Sequence, residues 1–251
     1  MKPNLLFSLL LLLPLSLSAT PKSGYEYLAP ETRTMQDDEF ENPGMVGLEL
    51  GREEFHKPGE EGGTCAGCHG DDGSKLNPKA IAAYPVYSKG LDKPITLRDR
   101  IHICWDESLG NFPMLYNDKR ALYLETFVRN LARGEKVNVD IEGPLKPFYE
   151  KGKKTYRARY GQMGMACYHC HDYFPGRMIR GQRLSEGHTN GFPLYRLGTG
   201  KLTSLDDRLQ ECFRSLRAEV FEKKSEIWRN LEVYLNARGN GLKIETPAVR
   251  F

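Results

Sequence analysis

The pattern Cys-x-x-Cys-His occurs twice in this chain, at residues 65–69 and again at residues 167–171. In this pattern the two thiols add to the vinyl groups of a haem, and the histidine that follows directly becomes the proximal ligand of the iron. One copy could arise by chance or serve as a redox dithiol. Two copies, each followed directly by histidine, predict two covalently bound c-type haems. The attachment residues would be Cys65, Cys68, Cys167 and Cys170, and the proximal ligands His69 and His171.

The first 19 residues have the pattern of a secretory signal peptide. A single basic residue, Lys2, precedes an apolar run over residues 5–17, and small residues follow at Ser18 and Ala19. The run is too short and ends too abruptly for a membrane-spanning helix. We therefore expect a periplasmic protein without a membrane span, with about 230 residues after processing. A retained N-terminal anchor is the alternative.

Composition excludes few classes but agrees with two small domains. The hydrophobic fraction is 39% and the charged fraction is 27%, which is ordinary for a globular chain. A formal net charge of +3 gives no reason to expect nucleic acid as a partner. About 230 residues are enough for two cores, and in small cytochrome domains the haem supplies much of the apolar core.

The chain repeats one order of elements. In each half a haem motif is followed by an amphipathic helix with a lone cysteine, and then by a longer helix that stops at a glycine. The segments are residues 97–106 with Cys104 and 121–133 before Gly134, then residues 205–220 with Cys212 and 225–238 before Gly239. This order predicts an all-α fold of two cytochrome c-like domains with long loops, arising by internal duplication.

The predicted boundaries follow from this repeat. The join lies near the proline-containing segment 143–147. We assign residues 1–19 to the signal peptide, 20–48 to an N-terminal extension, 49–145 to the domain with haem 1, and 146–251 to the domain with haem 2.

Two cysteines remain once the haem motifs are assigned, and their roles are open. In an oxidising compartment Cys104 and Cys212 could form a disulfide. Alternatively, each could be the distal iron ligand in its own half. For haem 2, the other downstream candidate is His188, since the last methionine, Met178, follows the motif too closely to reach the far face of the same haem.

For haem 1, Met114 and His102 remain as alternatives to Cys104. His102 lies two positions before Cys104, so it should point to a different helix face. None of the three is excluded by spacing.

Cys212 lies on the apolar stripe of its segment. Leucines at 205, 209 and 216 recur with it at helical spacing, which turns the thiol towards whatever the helix packs against. Arg208 lies one turn earlier on nearly the same face. A guanidinium beside a buried thiol favours the thiolate and offers paired donors to an oxyanion. The alternative is a small core cysteine beside a solvated charge. Arg100 and Cys104 echo the arrangement in the first half.

Several longer strings of the sequence resemble the SoxA family, the catalytic cytochromes of the bacterial sulfur-oxidation SoxAX complex. The resemblance covers nearly all of the mature sequence. The strings that carry it are residues 161–171, 184–188, 190–197, 208–212, 217–219, 231–235 and 241–250, with residues 36–38 and 42–45 near the N-terminus.

The resemblance implies an enzyme, an L-cysteine S-thiosulfotransferase. Such an enzyme joins thiosulfate oxidatively to a cysteine of the SoxYZ carrier protein and passes the electrons to SoxX, a partner cytochrome. The alternatives are a periplasmic dihaem electron carrier and a thiosulfate dehydrogenase that forms tetrathionate.

The same resemblance implies roles for individual residues. Haem 2 would be the active-site haem, and Cys212 would carry sulfur as a persulfide. Arg208 would hold the anionic substrate, with Arg238 as a second anion-binding residue. The implied axial ligands are His69 and Cys104 for haem 1, and His171 and Cys212 for haem 2.

The segment before Cys212 departs from the family pattern, which tends to be more basic there. Acidic and neutral residues surround Arg208 in this chain, namely Asp206, Asp207, Gln210 and Glu211. This change bears on how strongly the entrance attracts an anion.

Overall fold

The computed structural model describes residues 20–251, so the predicted signal peptide at residues 1–19 lies outside the described part of the chain. The helices of these residues are α1 (Pro30–Asp37), α2 (Met45–His56), α3 (Cys65–His69), α4 (Pro78–Ala82), α5 (Leu97–Ile103), α6 (Lys119–Asn130), α7 (Lys146–Arg157), α8 (Cys167–His171), α9 (Leu205–Ser215) and α10 (Glu226–Arg238). The strands are β1 (Val86–Ser88), β2 (Lys93–Ile95), β3 (Met178–Ile179), β4 (Gln182–Arg183), β5 (Leu194–Arg196), β6 (Lys201–Thr203) and β7 (Ala248–Arg250).

A pair of crossing helices frames the first haem motif. Helix α2 packs against α6, and Gly51 lies at their closest approach. A Cβ atom on Gly51 would lie 2.1 Å from the carbonyl oxygen of Tyr123 and 2.8 Å from Cβ of Phe127. Only glycine lets the two backbones come this close.

The second half repeats this crossing with α7 and α10. A Cβ atom on Gly152 would lie 1.9 Å from the carbonyl oxygen of Asn230 and 2.8 Å from Cβ of Tyr234. In both halves the glycine therefore meets one carbonyl and, four residues later, one aromatic Cβ. Helix α7 begins where we predicted the join, but the sequence analysis did not anticipate a helix there.

Both helices that carry a lone cysteine begin at a hydroxyl cap. The Thr96 side chain accepts from the amide of Asp99, whose carboxylate accepts from the Thr96 amide in return. At α9, the Ser204 hydroxyl accepts from the Asp207 amide at 3.1 Å. These caps satisfy amides that the first turn leaves without partners, so they fix where each cysteine falls along its helix.

Both segments with a lone cysteine end differently from the prediction. The first ends as a regular helix at Ile103 and continues as a π-helical turn over Cys104–Ser108. The second ends at Ser215 rather than residue 220, and Arg217 has a φ of 52°. The loop at residues 161–163 approaches there, and the amides of Gln162 and Met163 donate to carbonyls just past α9, at 3.3 and 3.4 Å.

A three-stranded sheet corrects the all-α prediction. Strand β5 is the central strand, antiparallel to β6 and parallel to β7. The sheet lies in the second half, while the first half has only the β1–β2 hairpin. Spacing could not predict it, because its strands have three residues each and β7 pairs with a strand about 50 residues earlier.

The N-terminal extension lies on the second half of the chain. Helix α1 packs against β7, and the Val249 amide donates to Oε1 of Gln36 at 3.0 Å. Tyr27 donates to Glu186 at 2.9 Å, and Asn42 donates to the carbonyl of Pro247 at 2.9 Å. The segment is therefore bound along its length by hydrogen bonds.

There are two apolar cores, and the first also takes in Val233 and Ile244 of the second half, so apolar packing as well as charge pairs joins the halves. The first core gathers around Phe55, Leu124 and Phe127, and the second around Trp228 and Leu231.

Between residues 20 and 251, no helix has the length and hydropathy that crossing a bilayer would require.

The glycine crossing predicts a large stability cost for one methyl group. Gly152→Ala should lower the free energy of unfolding by about 1–3 kcal/mol, because the added Cβ collides with a backbone carbonyl that cannot move alone. Gly90→Ala is the matched control, since a Cβ there meets nothing within 4 Å. Thermal unfolding of the haem-loaded variants measures both, and equal midpoints would contradict the close crossing.

Candidate functional site

His171 is held in one orientation by the backbone. Its Nδ1 hydrogen bonds to the carbonyl oxygen of Ser185 at 2.8 Å, which fixes the tautomer with the proton on Nδ1. Nε2 is then the ring nitrogen that can bind a metal. Burial lowers the pKa of His171, so that the ring stays neutral, as a metal ligand must be.

Gly187 packs closely against the imidazole ring of His171. Gly187 has a φ of +73°, and a Cβ there would lie 2.7 Å from Cγ of His171. The close approach leaves the imidazole little freedom to rotate.

Cys212 lies close to the second haem motif. Burial, and then the field of Cys212, raise the pKa of Cys167 to about 12. The same two causes raise the pKa of Cys170. Helix α9 therefore brings the lone thiol of this half to α8. No disulfide joins Cys104 to Cys212 in the structure of residues 20–251, which contradicts the alternative of a disulfide between them.

The first half shows the same relation between its three cysteines. The pKa of Cys65 is raised to about 11, first by burial and then by the field of Cys104. His102 instead stacks on Tyr116 with ring centroids 5.4 Å apart and is buried, while Met114 is buried in the first core. Of the three candidates, Cys104 is thus the one that the shift at Cys65 places near the haem motif.

His188, the other candidate for the second half, already has a partner. Its Nε2 hydrogen bonds to Glu186 at 3.0 Å, and its side chain is buried. His169 accepts a 2.9 Å hydrogen bond from the amide of Ala166 through Nδ1 and stacks on Tyr168.

These donor sets fit covalent haem. In each half, one short helix carries two thiols one helical turn apart, and a histidine follows the second thiol directly. In the second half the imidazole is neutral and its Nε2 is available, which suits an axial ligand. Cys65, Cys68, Cys167 and Cys170 would hold the two haems.

The two predicted anion-binding arginines have different surroundings. Arg208 lies one turn before Cys212, with a third of its side chain exposed, and its Nη1 donates to Oε2 of Glu211 at 3.1 Å. Arg238 donates to Asp172 at 2.7 Å and to the carbonyl of Glu186 at 3.0 Å. The contacts of Arg238 are thus with residues near His171, and its substrate role stays a prediction.

Sequence reasoning missed Arg196. It belongs to a string that resembles the family, but no spacing links it to Cys212. Strand β5 brings it to α9, where its Nη1 donates to the same oxygen of Glu211 that Arg208 contacts. Its pKa is lowered by burial and then by the charge of Arg208, which shows that the two guanidinium groups are neighbours.

The contact between Gly187 and His171 predicts a change in iron ligation. Gly187→Ala should alter the absorption and electron paramagnetic resonance spectra of the haem held by Cys167 and Cys170, because the added Cβ displaces the imidazole. Gly181→Ala is the matched control: Gly181 also has a positive φ, of +83°, but a Cβ there meets nothing within 4 Å. Backbone strain of about 1 kcal/mol is then common to both. Identical spectra for the two variants would contradict the contact.

Comparisons with known proteins show which proteins this chain is similar to. The family model described as SoxA/TsdA, cytochrome c domain, matches residues 50–137. The "L-cysteine S-thiosulfotransferase subunit SoxA" of Pseudaminobacter salicylatoxidans is 37% identical, over 91% of this chain and 80% of its own. The protein of the same name from Paracoccus pantotrophus is 34% identical, over 91% and 78%.

A solved structure is similar throughout. The chain matched in "Crystal structure of SoxXA from P. pantotrophus" has a TM-score of 0.85 and 33% identity, with 92% of this chain and 87% of that chain covered. The predicted helical cytochrome c fold is confirmed by this match and by the family model. From these similarities we conclude that the chain belongs to the SoxA family of cytochromes with covalently bound c-type haem.

Proposed function

We propose that this protein is the catalytic subunit of a periplasmic L-cysteine S-thiosulfotransferase. The observation that carries the proposal is the position of Cys212, a cysteine outside both haem motifs that lies close to the second motif, with Arg208 one turn away. It occurs in a chain that is 37% identical to a subunit of that name.

Two haems and two domains are part of the proposal. The repeated glycine crossing, at Gly51 and at Gly152, supports an internal duplication, since each crossing frames one haem motif. Helix α2 begins at Met45, before the predicted boundary at residue 49, so we move that boundary. We propose an extension over 20–44, a first domain over 45–145 and a catalytic domain over 146–251.

The positions of the lone cysteines support a proposal for the axial ligands. We assign His69 and Cys104 to haem 1, and His171 and Cys212 to haem 2. The fixed Nδ1 of His171 and the influence of each lone cysteine on its own motif support these pairs.

The reaction joins two sulfur atoms. Overall, the thiol of a carrier cysteine loses its proton to solvent, and its sulfur forms one S–S bond with the outer sulfur of thiosulfate, giving a cysteine S-thiosulfonate and releasing two electrons. When bound, c-type haem supplies one-electron transfer. The electrons leave to a partner cytochrome of the SoxX type, which supplies the oxidant that the bond requires.

The chain's own residues bind and orient the sulfur atoms. Arg208 would hold the sulfonate oxygens through charge-assisted hydrogen bonds, as a planar guanidinium does well. Cys212 would hold the sulfur that is transferred, on a helix fixed by the Ser204 cap. The cysteine of a SoxYZ-type carrier is the proposed acceptor.

Removal of the thiol tests the proposal most directly. Cys212→Ala should lower thiosulfate conjugation to the carrier at least about hundred-fold, because the sulfur-bearing group is lost. Intact-mass spectrometry should still find two covalent haems. Ser215→Ala, an exposed change on the same helix, is the control. Full activity of Cys212→Ala would refute the assignment, and tetrathionate as the product of the unaltered protein would favour a dehydrogenase.

Loss of Arg208 should act mainly on substrate binding. Arg208→Ala should raise the KM for thiosulfate about ten-fold or more, since a charge-assisted hydrogen bond contributes roughly 1.5–3 kcal/mol. The control is Arg214→Ala, which removes an exposed arginine from the same helix. Steady-state kinetics at saturating carrier measures both, and equal KM values would remove Arg208 from the site.

A further inference from the structure

We propose that Arg196 is a second substrate-binding arginine beside Cys212, and that Glu211 is an internal counter-ion that thiosulfate displaces. The proposal deepens the function given above and rests on it. It assigns roles to a strand residue and to an acidic residue that departs from the family's basic pattern.

Two guanidinium groups converge on a single oxygen atom. Nη1 of Arg196 and Nη1 of Arg208 both donate to Oε2 of Glu211, the latter at 3.1 Å. A carboxylate oxygen held by two arginines occupies the kind of position that a sulfonate oxygen would take. Cys212 is the next residue along α9, and its field is among the causes that shift the pKa of Arg196, so the group lies near this thiol.

Arg196 is the fixed member of this group. The residue is only 9% exposed, and its Nε and Nη2 donate to the main-chain oxygen of Phe251 at 3.2 and 3.1 Å. These bonds hold one edge of the guanidinium and direct Nη1 towards α9. A buried cation of this kind needs an anion near it at all times, because an unpaired buried charge is costly.

Glu211 is the member that can leave. About a third of its side chain is exposed, so the carboxylate can rotate away from the arginines and be solvated by water. Thiosulfate carries two negative charges and three sulfonate oxygens, whereas Glu211 offers one charge. The dianion therefore binds both arginines better, and Glu211 keeps Arg196 paired when no substrate is present.

The first half lacks this arrangement in the described residues. There the residue equivalent to Arg208 is Arg100, whose Nε donates to the hydroxyl of Tyr84 at 3.4 Å. No strand of the first half delivers a second arginine to Cys104, because the three-stranded sheet lies only in the second half. The anion site thus distinguishes the two lone cysteines.

Opposite effects of two variants test the proposal. Arg196→Gln should raise the KM for thiosulfate about ten-fold or more, with a smaller change in kcat, because a donor to the substrate is lost. Glu211→Gln should lower the KM about three-fold or more, because the competing charge is gone. Both variants break the same ion pair, so a purely structural role would predict effects of the same sign.

Arg250→Gln is the matched control. Arg250 lies opposite Arg196 in the sheet and pairs with Glu245, but it is not in contact with Glu211. The Arg250→Gln substitution should lower thermal stability and leave the KM for thiosulfate unchanged. If Arg196→Gln fails to fold with its haems attached, Glu211→Gln alone decides, because its amide oxygen can still accept from both arginines.

A binding measurement separates this inference from the proposed function. In haem-loaded Cys212→Ala, which cannot transfer sulfur, thiosulfate should still raise the unfolding temperature, and Glu211→Gln should increase that rise. Sulfate, an unreactive dianion, should compete. An unchanged KM and an unchanged thermal shift in Glu211→Gln would overturn the inference while leaving the transferase intact. Absence of conjugation by the unaltered protein would instead refute the proposed function.

Discussion

Close contact between two helix backbones underlies each half of the molecule. Gly51 and Gly152 let α2 meet α6 and α7 meet α10 at distances that any side chain would prevent. The first helix of each pair leads into a haem motif, and the second is the last helix of its half. Because the crossing fixes both, the short helices α3 and α8 need little length of their own to hold their cysteines in place.

Buried charges join the two halves at their common face. Arg98 of α5 pairs with Glu125 and lies 3.9 Å from Asp206 of α9, while Arg229 of α10 pairs with Asp99 of α5 at 2.6 Å. Such pairs contribute little net stability, since desolvation offsets their attraction. They do favour one relative position, because any other would leave buried charges without partners. Helix α9, which carries Cys212, and helix α5, which leads directly into Cys104, both contribute to this face.

Asymmetry between the halves has a physical origin in the sheet. Strands β5, β6 and β7 occur only in the second half of the described chain, and β5 carries Arg196 to α9. The N-terminal extension supports the same sheet through Gln36. Similar helical frameworks thus surround the two haem motifs, while the strands of the second half bring a second arginine to α9.

The sequence by itself determined the haem motifs, the two lone cysteines and the helices that carry them, because these depend on spacing within one helical turn or a few turns. It also placed Arg208 beside Cys212, four residues away. Helix lengths, the sheet and Arg196 were beyond its reach. The end of α9 depends on a loop that donates to its last carbonyls, and Arg196 reaches Glu211 only because three short strands pair. Local periodicity is encoded in neighbouring residues, whereas these contacts join segments that are distant in the chain, so only the tertiary structure decided them.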